Sequence, residues 1–502
     1  GLGDVYKRQT YGSGEINQVT VKFGSSFTLP IPTTDSNLKA FIGWYSELNA
    51  QGERYTNEEG KSIKKWRDYG EVTLYAGWVD VFTFNLINDG QAYSVSKGPG
   101  INYVSIITIP TSYLGVPVTT VEASGFQSCS NLVVVNIPSS IVNIEVGSQG
   151  PNGTGSCFQS CSKLEAVNIY PVEGMIEEDI RYYSIDGVLI YRNEYNGYEI
   201  KYFPYNTKGG TYTIPSMVTT IPINAFKSCT KITEIIIPAT VTKIDESAFQ
   251  GCSKLVTVTF LEPEEGEAVQ ELVLGAKVFQ SNSSLEVINL PARLASFNTN
   301  IFTSCSNLVA VNIVGTYENA VYSSTDGVLM NADKTEIIFF PRAKGSTYTT
   351  PVGVQTIGES AFESCKELIE ITITGQVTLI EKNAFKSCTG LEKINFLGSA
   401  EDNALTIKSS AFYGCNNANL TELTLPANLL VMEKNAFGNT SKLTKVNVYS
   451  VSQDINFEYA AFGTTTTSVS TAPTYYVKDL FIAKEVTIFA VSYTHLTLPT
   501  IA

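Results

Sequence analysis

The side chains able to act as nucleophiles, metal ligands or proton carriers are few: nine cysteines and one histidine in 502 residues. Eight of the cysteines, Cys129, Cys161, Cys229, Cys252, Cys305, Cys365, Cys388 and Cys415, fall at one position of a recurring phrase; Cys157 is the ninth. Asn282 and Thr440 take that position in two other copies, a replacement that a disulfide partner does not tolerate. The expected role is a small buried thiol, packed or weakly hydrogen-bonded at a turn. A ladder of disulfides between neighbours such as Cys229 and Cys252 is the alternative. Metal binding would need a Cys-x-x-Cys pair or histidines to complete a tetrahedral site, and the sequence offers neither.

The single imidazole, His495, stands near the C-terminus in Val491-Ser-Tyr-Thr-His-Leu496. That stretch, like Asp4-Val-Tyr-Lys-Arg-Gln9, resembles the translation of a transposase sequencing adapter, read in opposite senses at the two ends. Residues 1–9 and 491–502 are therefore expected to be adapter-derived and to stand outside the fold. A signal peptide and an anchor are expected beyond them. Without His495 no Ser-His or Cys-His pair can form. The acidic runs Glu262-Pro-Glu-Glu-Gly-Glu267 and Glu177-Glu-Asp179 lack calcium-loop spacing and read as solvated loops. No glycine-rich phosphate loop stands between a strand and a helix. The expectation is a protein without catalysis, cofactor or metal.

The elements that carry these residues form a repeat array. Ala-Phe, two residues, Cys, two residues, Leu and then alternating apolar residues recur, as in Phe126-Gln-Ser-Cys129-Ser-Asn-Leu132-Val-Val-Val135-Asn-Ile137-Pro138. Further copies start at Phe158, Phe226, Phe249, Phe279, Phe302, Phe362, Phe385, Phe412 and Phe437; the shortest spacing is 23 residues. The alternation predicts a half-buried strand. Val241-Thr-Lys-Ile244 and Val377-Thr-Leu-Ile380 predict a second short one, and the Ala-Phe-x-x-Cys-x-x-Leu spacing suits a tight helical turn. One coil of this size cannot bury its apolar side alone, so coils must stack with Phe226, Cys229, Phe249, Cys252, Phe362, Cys365, Phe385 and Cys388 in columns. Near 182–225 and 321–361 the array carries inserts, Tyr183-Ser-Ile-Asp-Gly-Val-Leu-Ile190 and Tyr322-Ser-Ser-Thr-Asp-Gly-Val-Leu-Met330. Asp-Gly between apolar runs signals a hairpin, and both inserts are expected to keep the stack going.

The Ala-Phe-x-x-Cys-x-x-Leu core, the Val-x-x-Ile-x-x-x-Ala-Phe lead-in and the Asp-Gly-Val-Leu modules resemble the BspA-type leucine-rich repeats of bacterial and protist surface proteins. Residues 10–80 differ. There Phe41-x-Gly43-Trp44-Tyr45 and Tyr75-Ala-Gly-Trp78 resemble the internalin-type B-repeat, a small β-grasp module, with Trp44 and Trp78 expected in its core. The fold expected is a β-rich leucine-rich-repeat solenoid over 81–490, of short strands and tight helical turns, preceded by that β-grasp domain over 10–80.

Apolar residues make up 43% of the chain and charged ones 16%, ample for a core. The formal net charge of −14 disfavours nucleic acid and anionic membrane surfaces, and no run of about 18 apolar residues exists to span a bilayer. Between the last two apolar positions of each strand one residue faces outward: Asn136, Asn168, Ile236, Thr259, Asn289, Asn312, Thr372, Asn395, Thr424 and Asn447. Stacked amides and hydroxyls stabilise a sheet; they also make a polar binding face of the solenoid type. Two residues earlier the column changes from Val134 and Ala166 to Glu370, Lys393, Glu422 and Lys445. The family resemblance implies an extracellular or cell-surface binding protein, an adhesin for host matrix proteins or other glycoproteins. A structural stalk displaying a missing domain is the alternative.

Overall fold

The computed structural model describes residues 2–8, 19–33, 37–70, 72–145, 156–195, 197–204, 208–264, 266, 268–399, 401–417, 419–443, 445–448, 456–458, 461–462 and 474–477. His495 and the stretch 491–502 lie outside them. Two compact units emerge: residues 1–210 with 214–232 and 243–252, and residues 211–213 and 233–242 with 253–502.

The first unit opens with a mixed sheet. Leu2–Arg8, expected outside the fold, runs antiparallel to Val19–Lys22 and parallel to Val72–Asp80, and Lys39–Tyr45 pairs antiparallel with Val72–Asp80. Trp44 and Trp66 are fully buried in its core with Phe41, Tyr55 and Leu74; Trp78 packs against them partly buried. The Trp44 indole N–H finds the Pro30 carbonyl at 3.0 Å, so burial of its one donor costs little.

In both units the repeats form coils joined to their neighbours along three lines of hydrogen bonds. The first is a parallel ladder of the strands predicted by alternation, such as Val134–Pro138 beside Ala166–Tyr170 and Glu370–Ile373 beside Lys393–Phe396. The second joins the short strands, Thr220–Ile221 to Lys243–Ile244 and Thr356–Ile357 to Leu379–Ile380. The third runs through the Ala-Phe turn. Phe362 N–H donates to the Ala384 carbonyl at 2.7 Å, and Ser364 N–H to that of Lys386 at 2.8 Å.

That third line corrects the expected helical turn. In most of these turns two residues take a left-handed conformation, Ser360 (φ +58°) and Ser364 (φ +63°) in one coil, Asn383 (+59°) and Ser387 (+60°) in the next. Left-handed residues cannot continue a right-handed helix; they swing the amides sideways to the adjacent coil, and short polar side chains tolerate that region. Among the described Ala-Phe turns a 3-10 helix forms only at Thr299–Phe302.

Phenylalanine fills the inside of this turn and stacks on its counterpart in the next coil. In the second unit the rings of Phe340, Phe362, Phe385, Phe412 and Phe437 follow one another at 4.6–4.7 Å, tilted by 21° or less. In the first, Phe226 and Phe249 lie 4.9 Å apart. These separations match the spacing of hydrogen-bonded strands, so one translation satisfies backbone and rings together.

The inserts are hairpins, as Asp-Gly predicts. Tyr182–Ile185 pairs antiparallel with Val188–Arg192 and Tyr322–Thr325 with Val328–Asn331. Both turn residues have positive φ in each, +51° and +74° at Asp186-Gly187, +49° and +72° at Asp326-Gly327, the type I′ geometry that matches strand twist. Phe203 and Phe340 restore the phenylalanine column after the hairpins, ahead of Phe226 and Phe362. The second sheet continues through the insert: in the second unit Glu336–Phe339 pairs in parallel with Thr356–Ile357.

Replacing Phe385, which is fully buried between two stacked rings, by Ala is expected to cost about 3–5 kcal/mol, read from denaturant midpoints. A Cβ on Gly327 would come within 2.6 Å of Ala310 Cβ, whereas one on Gly353, also at positive φ, meets nothing within 4 Å. Gly327→Ala should therefore lower the thermal midpoint clearly more than Gly353→Ala.

Candidate binding face

The strand ladder sets the face. Its odd members, such as Val135, Ile137, Ile371 and Ile373, are buried, and the residues between them point away from the core. Neighbours in the outward column stand in register: Asn136 opposite Asn168, Ile236 opposite Thr259, Asn289 opposite Asn312, Thr372 opposite Asn395, Thr424 opposite Asn447.

Register turns this column into a chain of hydrogen bonds. Asn168 Nδ2 donates to Asn136 Oδ1 at 3.2 Å, and Asn136 Nδ2 to the Thr108 hydroxyl at 3.2 Å. Asn312 Nδ2 reaches Asn289 Oδ1 at 2.9 Å. Asn395 Nδ2 donates to Thr372 Oγ1 at 3.2 Å and to Glu370 Oε1 at 2.6 Å; Asn447 Nδ2 does the same to Thr424 Oγ1 and Glu422 Oε1. Glu370 also pairs with Lys393 at 2.9 Å, and Glu422 with Lys445 at 2.7 Å. The Lys393 ammonium, then the Asn395 amide, lower the Glu370 carboxyl. Thr108 escaped the sequence reading because no Ala-Phe phrase precedes its strand.

One predicted position is corrected. Asn447 is 4% exposed and cannot meet a ligand directly; the strand Thr474–Val477 pairs beside it with Tyr476 in register.

The face is also divided. Each hairpin lies against the last strand before it: Gly187 O accepts from Val167 N–H and Ser184 Oγ from Ile169 N–H, and Gly327 O and Ser324 Oγ serve Val311 and Ile313 in the same way. This closes the free edge of Ala166–Tyr170 and of Ala310–Val314, and explains the small residue that opens each strand, since the turn glycine sits on it. In the second unit the ladder also breaks between Lys393–Phe396 and Glu422–Leu425, which belong to separate sheets. The phenylalanines of these two coils, Phe385 and Phe412, stand 27 residues apart, against the shortest spacing of 23. An open cleft of about 410 Å³ marks the break, lined by Thr372, Lys393, Ile394, Asn395, Phe396, Leu397, Glu422 and Thr424.

The cysteine column is structural. Its thiols donate to the phenylalanine carbonyl one coil back: Cys161 to Phe126 at 3.0 Å, Cys252 to Phe226 at 3.1 Å, Cys305 to Phe279 at 3.0 Å, Cys388 to Phe362 at 3.0 Å and Cys415 to Phe385 at 3.1 Å. The same carbonyl accepts the cysteine N–H of its own coil, at 3.1 Å for Phe362 and Cys365, so the thiol uses its second lone pair. Thr440 preserves a donor, its hydroxyl reaching Phe437 O at 2.7 Å. Asn282 does not: its amide is fully buried with no side-chain partner among the described residues. All nine cysteines are free and buried. Burial pushes the Cys157 thiol up to about 12 and the Cys305 thiol up to about 11, so both stay protonated at neutral pH. Among the described residues no group of three or more His, Cys, Asp or Glu is placed to hold a metal ion.

The family described as "BspA type Leucine rich repeat region" matches residues 101–184, 199–325 and 337–467 in six copies. No curated protein matches the chain. Among solved structures it is similar to a leucine-rich repeat protein from Bacteroides ovatus, at 20% identity over 77% of this chain and 91% of that one, with a TM-score of 0.48. It is similar too to a leucine rich cell surface protein from Faecalibacterium prausnitzii (21% identity, 73% and 86% covered, TM-score 0.43). The pneumococcal vaccine antigen PcpA gives 20% identity, 80% and 92% covered, and a TM-score of 0.42.

Thiols buried in the core should resist a disulfide reagent at pH 8 in the native protein and react once denaturant unfolds it. The pH dependence follows in sign. Cys305 moves from 9.0 up to about 11, so the folded state keeps a proton that the unfolded chain releases. Stability contributed there is intact below pH 9 and falls between 9 and 11, which denaturant midpoints across that window would show.

Proposed function

Because the chain belongs to the BspA-type leucine-rich-repeat family, we propose that it acts at a cell surface as a non-catalytic adhesin, engaging host extracellular matrix proteins or other glycoproteins through its polar strand faces. The observation that carries this reading is the outward column itself. Its amides and hydroxyls are held by their neighbours at 2.9–3.2 Å, so a partner meets a surface whose side chains have already lost their rotamer freedom. The net charge of −14 favours proteins over nucleic acid as partners. Among the described residues no helix is long and apolar enough to cross a membrane. Residues 10–80 we read as a β-grasp spacer resembling the internalin B-repeat, holding the repeats off the surface. A stalk displaying another domain is the second reading, favoured by amides such as Asn289 and Asn312 that spend hydrogen bonds on each other.

The test is binding of the chain to immobilised fibronectin, laminin and collagen, beside a variant with Asn289, Asn312 and Asn395 changed to Lys. Saturable binding lost in the variant, at an unchanged thermal midpoint, is the expected result. Absence of binding across the panel would favour the stalk.

A further inference from the structure

We propose that two stretches of the N-terminal module, residues 22–23 and 65–69, form a binding site for a sulfated polysaccharide. The adhesin reading gives this module the part of a spacer, so the inference goes beyond it.

The two stretches lie side by side. Thr28 pairs antiparallel with Lys61, Trp66 N–H donates to the Ser25 carbonyl at 3.0 Å, and Gly24 N–H donates to that of Trp66 at 2.7 Å. Alternate side chains of the second stretch turn inward. Lys64 lies over the Tyr55 ring, Trp66 is fully buried, and Asp68 accepts from the Tyr55 hydroxyl at 2.6 Å. Lys65, Arg67 and Tyr69, the residues after each of these, are exposed. Tyr69, 78% exposed, stacks on Phe23, 43% exposed, with ring centroids 4.8 Å apart. Lys22, also exposed, directly precedes Phe23.

Neither ring belongs to the core of the module, which Trp44, Trp66, Phe41 and Tyr55 fill. The cations divide in the same way. Over residues 10–80, Lys39 is paired with Asp80, Arg54 with Glu58, Lys61 with Glu59 and Lys64 with Glu53. The remaining cations there are Lys22, Lys65 and Arg67, and none of them makes an ion pair among the described residues. The unpaired positive charges are therefore the ones in the two stretches that carry the exposed rings.

Charge and ring together define the ligand. Positions two residues apart in an extended segment lie about 6.7 Å apart, close to the length of one sugar ring. Lys65 and Arg67 thus call for negative charge on successive rings, as sulfation provides, and Tyr69 offers its face to the C–H face of a sugar. A flexible polyphosphate would use the cations and leave the rings idle. Single-stranded nucleic acid stacks successive bases on several aromatic side chains, and one platform is present here. The net charge of −14 opposes the approach of any polyanion, yet at contact the nearby cations dominate, since salt screens charges more than about 8 Å away.

The experiment is calorimetric titration of the full chain with a heparin hexasaccharide, beside maltohexaose, inorganic polyphosphate and an oligothymidylate. Variants are Lys65→Gln with Arg67→Gln, Tyr69→Ser and, as a charge-matched control on the repeats, Lys254→Gln with Lys366→Gln, each checked by thermal midpoint. Expected is saturable heparin binding at roughly 10–100 μM, with none to maltohexaose. Binding should weaken about tenfold or more in the double cation variant and in Tyr69→Ser, and stay unchanged in the control. Absence of saturation with heparin, or undiminished affinity in either site variant, would overturn the proposal. Polyphosphate or oligothymidylate bound as tightly as heparin would overturn it as well, the first by showing that charge alone is read, the second by making nucleic acid the partner.

Discussion

One constraint governs the molecule: each coil must repeat its neighbour at the spacing of a hydrogen-bonded strand. Phenylalanine rings separated by 4.6–4.9 Å and parallel ladders satisfy that constraint at the same translation. Two left-handed residues in most turns, Ser360 and Ser364 for example, aim the turn amides at the next coil and add a third line of bonds. The cysteine belongs to the same geometry. Its thiol is small enough for the column and long enough to reach the carbonyl of the phenylalanine one coil back.

The strand face is interrupted at places where the core runs on. The Asp-Gly hairpins keep the second sheet and the phenylalanine column running through Phe203 and Phe340, yet each closes the edge of the polar strand before it. The longer coil after Phe385 keeps its ring stacked on Phe412 at 4.7 Å while the outward strands part. The core holds because apolar packing acts over many atoms, whereas a ladder needs donors and acceptors within about 3 Å. Interruptions divide the face into stretches, each with its own chemistry.

The residues with apparent chemical potential divide accordingly. The thiols are consumed by structure. The Asn and Thr of the outward column are partly consumed, since most amide donors go to a neighbour. At the parted strands the charged column brings Lys393 and Glu422 to the lining of one cleft.

By itself the sequence determined the repeat, the strand alternation, the column positions of Phe226, Cys229, Phe362 and Cys365, and the Asp-Gly hairpins. Each of these is written in spacing or in a backbone preference that a single coil already expresses. It did not determine that the Ala-Phe turn is left-handed rather than helical, because three-residue spacing of apolar side chains fits both. Nor did it show that Asn447 is buried while Asn395 is half-exposed, since the two sit at equivalent places in their repeats. Tertiary structure alone decided which polar groups remain available. That depends on pairs such as Asn289 with Asn312, 23 residues apart. It depends also on which adjacent strands close their ladder, as Val134–Pro138 and Ala166–Tyr170 do and Lys393–Phe396 and Glu422–Leu425 do not.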